Sequence, residues 1–138
     1  MGILADTVLA AGGEVIGVIP QSLVDREVAH PHLTRRIVTG SLAERKARML
    51  DLSDAFVVLP GGAGTLDELS ELWTAASLDL HAKPIGILNS GGYFDLLLKF
   101  FDHAVAEGFL GSSDRDLLCV EQSPQPLLER LAGSTLRS

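Results

Sequence analysis

The residues best suited to chemistry in this sequence stand together at Pro60-Gly61-Gly62-Ala63-Gly64-Thr65, with the carboxylate Glu68 three residues further on. Leu59 ends an apolar run and Thr65 is expected to open a helix. Gly61, Gly62 and Gly64 therefore fall in a turn where the backbone must bend sharply and approach something closely, and glycine meets both demands. The unpaired N–H groups at the head of a helix, together with its dipole, make a site suited to one phosphate. The spacing is neither that of a triphosphate loop ending in Gly-Lys-Ser/Thr nor the dinucleotide pattern Gly-x-Gly-x-x-Gly. A monophosphate fits better than a triphosphate. Thr65-Leu66-Asp67-Glu68 also has the form of a capping box, with Thr65 as N-cap and Glu68 folding back on it. Capping alone needs neither the three glycines nor the proline ahead of it, which favours a Glu68 that faces a ligand.

Other polar residues offer less. Arg45, taken by itself, reads as a solvated helix charge beside Glu44 and Arg48 rather than as a clamp for an anion. His30 and His32 lack further ligands at zinc spacing, so a loop role is the simpler reading. Asp67 and Glu71 could pair with Glu68, but acidic residues are favoured near helix N-termini in any case. Trp73 reads as core rather than as a platform for a base.

The elements that must position these residues follow from pattern. Ile3, Leu4, Val8 and Ala11 recur at helical spacing over 2–11, and Gly12-Gly13 ends that helix. A short β-rich run over 14–19 is closed by Pro20, a surface loop contains His30-Pro31-His32, and Arg36-Ile37-Val38 reads as a weaker strand. Ser41-Leu42-Ala43-Glu44 is a capping box that predicts a helix over 42–52. Ala55-Phe56-Val57-Val58-Leu59 is a continuous apolar run of the kind buried on both faces of a parallel sheet. The next helix is expected to run from the glycines to about 79, with Leu66, Leu69, Leu72, Trp73 and Ala76 inward. A strand at 84–88, an amphipathic helix through Phe94, Leu97, Leu98, Phe101 and Val105 closed by Gly108, a strand at 117–120 and a short helix at 126–131 complete the series. Strands alternating with helices mean βαβ units and a parallel sheet, which binds ligands at the carboxyl ends of its strands. The expectation is one domain over 1–132 with a frayed tail over 133–138.

Composition narrows the class. With 138 residues, 46% of them hydrophobic, the chain can bury a real core. Its 11 basic and 18 acidic residues give a net charge of −7, which repels polyanions and argues against nucleic acid as a partner. The single cysteine, Cys119, forms no internal disulfide and no cysteine-based zinc site, and points to a reducing, cytoplasmic compartment with the thiol buried and inert. No apolar run approaches the ~18 residues of a membrane span, and Asp6 breaks the N-terminal apolar stretch, so no membrane association is expected. Met1-Gly2 lacks the Ser or Thr at position 6 that myristoylation would need.

Pro60-Gly61-Gly62-Ala63-Gly64-Thr65-Leu66-Asp67-Glu68 resembles the PGGxGTxxE signature of the LONELY GUY family of cytokinin-activating phosphoribohydrolases. Ala43-Glu44-Arg45-Lys46-Ala47-Arg48-Met49 is similar to that family's second motif, and His81-Ala82-Lys83-Pro84 and Gly92-Tyr93-Phe94 also fit its pattern. The resemblance runs from residue 1 to about 120. It implies a Rossmann-like parallel sheet flanked by helices and a homodimer. The implied reaction is hydrolysis of the N-glycosidic bond of N6-substituted adenosine 5′-monophosphates to free base and ribose 5-phosphate. It makes Arg45 and Glu68 the catalytic pair and gives Lys46 and the stretch Gly61, Gly62, Ala63, Gly64 and Thr65 to the nucleotide, with Glu27 and Thr74 as contacts by position. It implies no metal and no organic cofactor. The family is often labelled lysine decarboxylase, but no lysine here sits in a recognisable pyridoxal phosphate context.

Two departures bear on the substrate. Leu42-Ala43 replace the usual Met-His, and Ala75 and Ser77 replace the usual Trp and Gln after Thr74, which opens plain AMP as a substrate. The resemblance also places a strand, a helix and a glycine-rich strand ahead of the residues matching Met1 to Asp6. The expectation is thus an N-terminally truncated fold lacking one wall of its pocket. A competing function is a non-catalytic nucleotide or cofactor carrier on the same fold, which needs the glycine loop but not both Arg45 and Glu68. A third, a purely structural subunit, needs neither.

Overall fold

The structure, a computed structural model, describes residues 1–24 and 32–135. They form two compact units, Met1–Leu52 and Ser53–Ser138.

In the first unit, helix α1 (Gly2–Ala10) leads to strand β1 (Ile16–Pro20), a one-turn helix α2 (Gln21–Val24), strand β2 (Arg35–Thr39) and helix α3 (Leu42–Leu52). The expected stop after α1 is present: Gly12 takes φ 80° and Gly13 N–H donates to Val8 O at 2.9 Å. Left-handed backbone of this kind is open to glycine without a steric cost. β1 and β2 pair in parallel from Ile16 opposite Arg35 to Pro20 opposite Thr39. Pro20 thus lies inside the strand as its last residue rather than stopping it, a position that requires little of the N–H it lacks. α2 was not legible as a helix, since four residues carry no periodicity. The predicted loop histidine His30 lies outside the described residues, as does Glu27.

In the second unit, strand β3 (Phe56–Val58) is followed by helix α4 (Ala63–Ser77), strand β4 (Ile85–Leu88), a 3-10 turn (Ser90–Gly92), helix α5 (Asp95–Ala106), a short helix α6 (Ser112–Asp116), strand β5 (Leu118–Glu121) and helix α7 (Pro124–Thr135). The three strands form a parallel sheet in the order β3-β4-β5. Phe56, Val58, Ile85, Ile87 and Leu118 are buried, as are Leu69 of α4 and Phe94 just before α5. In register, Phe56 and Leu118 both stand opposite Ile85, so these side chains share a face.

Three expectations change here. The apolar run at β3 is not buried on both faces: Val57 is 42% exposed, because β3 is an edge strand and α7 packs on β4 and β5. Leu66, expected on the inner side of α4, is exposed, since it lies in the first turns of a helix that begins earlier than predicted. α7 runs to Thr135, well past the expected residue 131. Its length follows from packing: Leu127 and Leu131 are buried, and a Cβ on Gly86 in β4 would come within 2.8 Å of Leu127 Cδ1 and 3.1 Å of Leu131 Cδ1. Gly86 lets the helix sit close, and that contact outweighs the low helix propensity of Gly133. Among the described residues no helix is long and apolar enough to cross a membrane. The architecture is α/β, with parallel sheets flanked by helices in the Rossmann-like manner.

Candidate functional site

Strand β3 delivers the chain at its carboxyl end into the glycine loop, as a ligand site in a parallel sheet requires. The helix that follows starts at Ala63, not at Thr65, with Gly62 as N-cap and no side chain capping it. Thr65 is therefore already helical, and its N–H and that of Leu66 bond back to Gly62 O at 3.0 and 3.2 Å. The capping box with Thr65 as N-cap is thereby excluded. The leading N–H groups of α4 have no acceptor in the preceding turn of helix and carry the positive end of its dipole.

The three glycines differ in what requires them. A Cβ on Gly61 would collide with Thr65 Oγ1 and come within 3.0 Å of Thr65 Cβ, so the fold itself excludes a side chain there. A Cβ on Gly62 or Gly64 meets nothing within 4 Å, and neither residue has the positive φ that would call for glycine. Glu68 is half-buried on α4, one turn beyond Gly64 and on the same stripe of the helix. Thr74 is exposed and six residues from Glu68, about 120° round the helix, so α4 does not bring the two together.

The far edge of the loop is tied down from β4. Tyr93 donates its hydroxyl to Gly61 O at 2.9 Å. The sequence reading noted Gly92-Tyr93-Phe94 only as a pattern and gave Tyr93 no role. Its own position is set by Asn89, which is 5% exposed: Asn89 Oδ1 accepts from Phe94 N–H at 2.7 Å, and Asn89 Nδ2 donates to Asp95 Oδ1 at 2.7 Å.

In the first unit, α3 begins on the predicted capping box. Glu44 N–H donates to Ser41 Oγ at 3.1 Å, and Glu44 Oε2 accepts from Gly40 N–H at 2.7 Å. The next residue, Arg45, is half-buried and its Nε donates to Val18 O in β1 at 3.0 Å. It is no solvated helix charge. With Leu4, Val8, Val18, Leu23 and Met49 it lines a largely apolar cavity of about 610 Å³. Arg36 of β2, which the sequence reading passed over, lines the same cavity. Lys46 is half-buried beside Arg45 on α3.

A second cavity of about 470 Å³ lies against Ile85, Cys119 and Arg130. It opens at the amino ends of β4 and β5, the edge of the sheet opposite the glycine loop, and so is not the ligand site of a parallel sheet. Burial pushes the Cys119 thiol up, Arg130 opposing and Glu121 adding to that rise. Arg130 itself bonds Glu121 at 2.7 Å. Trp73, expected in the core, is half-buried, donating Nε1–H to Asp114 O at 2.7 Å and stacking at a tilt on Phe101. Among the described residues no group of three or more His, Cys, Asp or Glu could hold a metal ion.

A parallel α/β sheet with a glycine-rich loop at a strand's carboxyl end, a helix with no side-chain cap behind it and a carboxylate one turn along defines the class: a Rossmann-like protein. A protein-family model described as "Possible lysine decarboxylase" matches residues 1–131, and the chain belongs to that family. A protein of Oryza sativa subsp. japonica named "Probable cytokinin riboside 5'-monophosphate phosphoribohydrolase" is 47% identical over 131 residues, 95% of this chain and 58% of its own length. Two Arabidopsis thaliana proteins named cytokinin riboside 5'-monophosphate phosphoribohydrolase are 41% and 42% identical over 131 residues, 95% of this chain and 58% and 62% of their own lengths. The chain thus spans about three fifths of the length of these relatives. Their names agree with the family resemblance carried by the glycine-loop signature.

Proposed function

We propose that the protein hydrolyses the N-glycosidic bond of nucleoside 5′-monophosphates, AMP or its N6-substituted forms, releasing free base and ribose 5-phosphate. The observation that carries this reading is the pair Gly62 and Gly64, where a Cβ would meet nothing within 4 Å and φ is not positive. Their lack of side chains leaves the N-terminus of α4 open to the substrate phosphate, whose charge its N–H groups and dipole favour. Breaking the bond from ribose to base builds positive charge on the sugar. The Glu68 carboxylate stabilises that charge or activates the attacking water. Arg45, held by Val18, clamps phosphate or ribose and is the second member of the catalytic pair, with Lys46 beside it on the nucleotide. Glu27 and Thr74 are proposed as further substrate contacts. The names of the relatives favour this reaction over the decarboxylation in the family's description.

The same reading takes the cytoplasm as the compartment and a homodimer as the assembly. An apolar surface that could support association is found on α5, where Phe100 is 61% exposed with Leu96 one turn away at 80%, whereas Phe94 is buried and Trp73 and Phe101 are half-buried. Light scattering that gives a mass near 14.7 kDa at micromolar concentration would reject the dimer.

The deciding experiment incubates the protein with AMP and with isopentenyladenosine monophosphate and looks for released base by chromatography. Release of base with stoichiometric ribose 5-phosphate supports the proposal. Tight binding of nucleotide without turnover would make the protein a carrier instead.

A further inference from the structure

The Tyr93 hydroxyl meets the glycine loop at a backbone carbonyl, Gly61 O. What it fixes is a peptide plane. A trans peptide is planar, with its C=O and N–H pointing in opposite directions, so a donor on Gly61 O sets the direction of Gly62 N–H. Gly62 is the N-cap of α4, and its N–H is among the leading donors of that helix. Glycine on both sides of this peptide leaves it little intrinsic stiffness. The fold supplies the stiffness from outside. Tyr93 is 57% exposed, yet its ring packs edge-on against Phe94 at 5.0 Å, and Phe94 is 2% exposed. The turn that presents Tyr93 is itself built for the purpose: Gly91 and Gly92 take φ 62° and 73°, and Gly92 N–H bonds Asn89 O at 3.2 Å. Asn89 N–H in turn bonds Glu121 O, at the end of β5, at 2.8 Å. A chain of contacts thus runs from the carboxyl ends of β4 and β5 to the loop after β3.

We propose that Tyr93 is a positioning residue, holding the Gly61–Gly62 peptide so that Gly62 N–H is presented to the phosphate of the substrate. The proposal rests on the reading of this loop as a phosphate site. Tyr93→Phe keeps the ring and its packing on Phe94 and removes only the hydroxyl. Loss of one solvent-accessible hydrogen bond gives an expected ~2- to 10-fold rise in KM for nucleoside monophosphate, with kcat within ~2-fold of the parent. The same substitution loosens the Gly61–Gly62 peptide, so the backbone NMR order parameter of Gly62 without nucleotide should fall measurably, to below ~0.8 from the ~0.85 of rigid backbone. Unchanged KM and an unchanged Gly62 order parameter overturn the proposal. A lowered thermal midpoint with unchanged KM also overturns it, by making Tyr93 merely structural. A lowered Gly62 order parameter in a protein whose parent binds neither AMP nor ribose 5-phosphate would support the positioning of the loop while overturning the phosphate reading.

Discussion

Gly64→Ala separates what the fold requires from what a ligand requires. Gly64 is the second residue of α4, its φ is negative, and a Cβ there meets no atom within 4 Å. The folded chain therefore accepts alanine without strain. Alanine has the better helix propensity and narrows the unfolded ensemble, so the substitution stabilises by about 0.5–1 kcal/mol. For a chain of this size that raises the thermal midpoint by ~2–4 °C. Binding should move the other way. Cα–Cβ bonds tilt toward the helix N-terminus, so the new methyl projects toward the space in front of α4 where the phosphate is proposed to sit. Crowding of about 1–3 kcal/mol weakens AMP by ~5- to 150-fold. Gly61→Ala is the control. Its Cβ collides with Thr65 Oγ1, and the thermal midpoint should fall. Circular dichroism melts and isothermal titration with AMP read both quantities on the same samples. An alanine at 64 that binds AMP like the parent would refute the argument, because the glycine would then serve neither fold nor ligand.

Glu68→Gln keeps size and loses charge, so hydrolysis should fall by at least ~10²-fold while AMP still binds; turnover like the parent's would return Glu68 to a structural role. Arg45→Ala should lose activity to a similar degree and, because it also removes the bond to Val18 O, cost about 1 kcal/mol of stability by denaturant titration. Arg45→Lys, which keeps the charge without the planar fork, should not restore turnover, and full recovery would show that charge alone suffices. Gly86→Ala should destabilise by about 1–3 kcal/mol through Leu127 and Leu131, and an unchanged urea midpoint would mean that α7 shifts freely. Burial raises the Cys119 thiol, so its thiolate is scarce at neutral pH and its reaction with a disulfide reagent should be slower than free cysteine's, accelerating as pH rises; prompt labelling at pH 7 would contradict this.

How much of this was legible in the sequence depended on distance along the chain. The capping box at Ser41 and Glu44 is a local device: its Ser41 Oγ bond stands where the letters put it, and its Glu44 carboxylate reaches back to Gly40 N–H, one residue before the expected Ser41. The strand, glycine loop and helix around residue 60 were likewise visible, because apolar runs and glycines carry their meaning within a few residues. The start of α4 was missed by two residues because it has no side-chain cap to announce it. Arg45 looked solvated because its partner Val18 lies 27 residues away, and Tyr93 had no role because Gly61 lies 32 away. No window of periodicity spans such separations.

Glycine makes the same point within one residue type. Gly12 and Gly108 end helices with φ 80° and 78°, a requirement of backbone alone that the sequence announces by position. Gly86 admits the side chains of α7, and Gly61 admits the side chain of Thr65, so both are requirements of packing. Gly62 and Gly64 have neither a positive φ nor an atom within 4 Å of a Cβ. A reading from sequence treats Gly61, Gly62 and Gly64 as one motif with one cause, whereas the space around each Cβ divides them into one glycine that packing requires and two that it does not. If the two open glycines prove tolerant of alanine in stability and intolerant in AMP binding, the loop was shaped by its ligand. If all three behave alike, it was shaped by the turn.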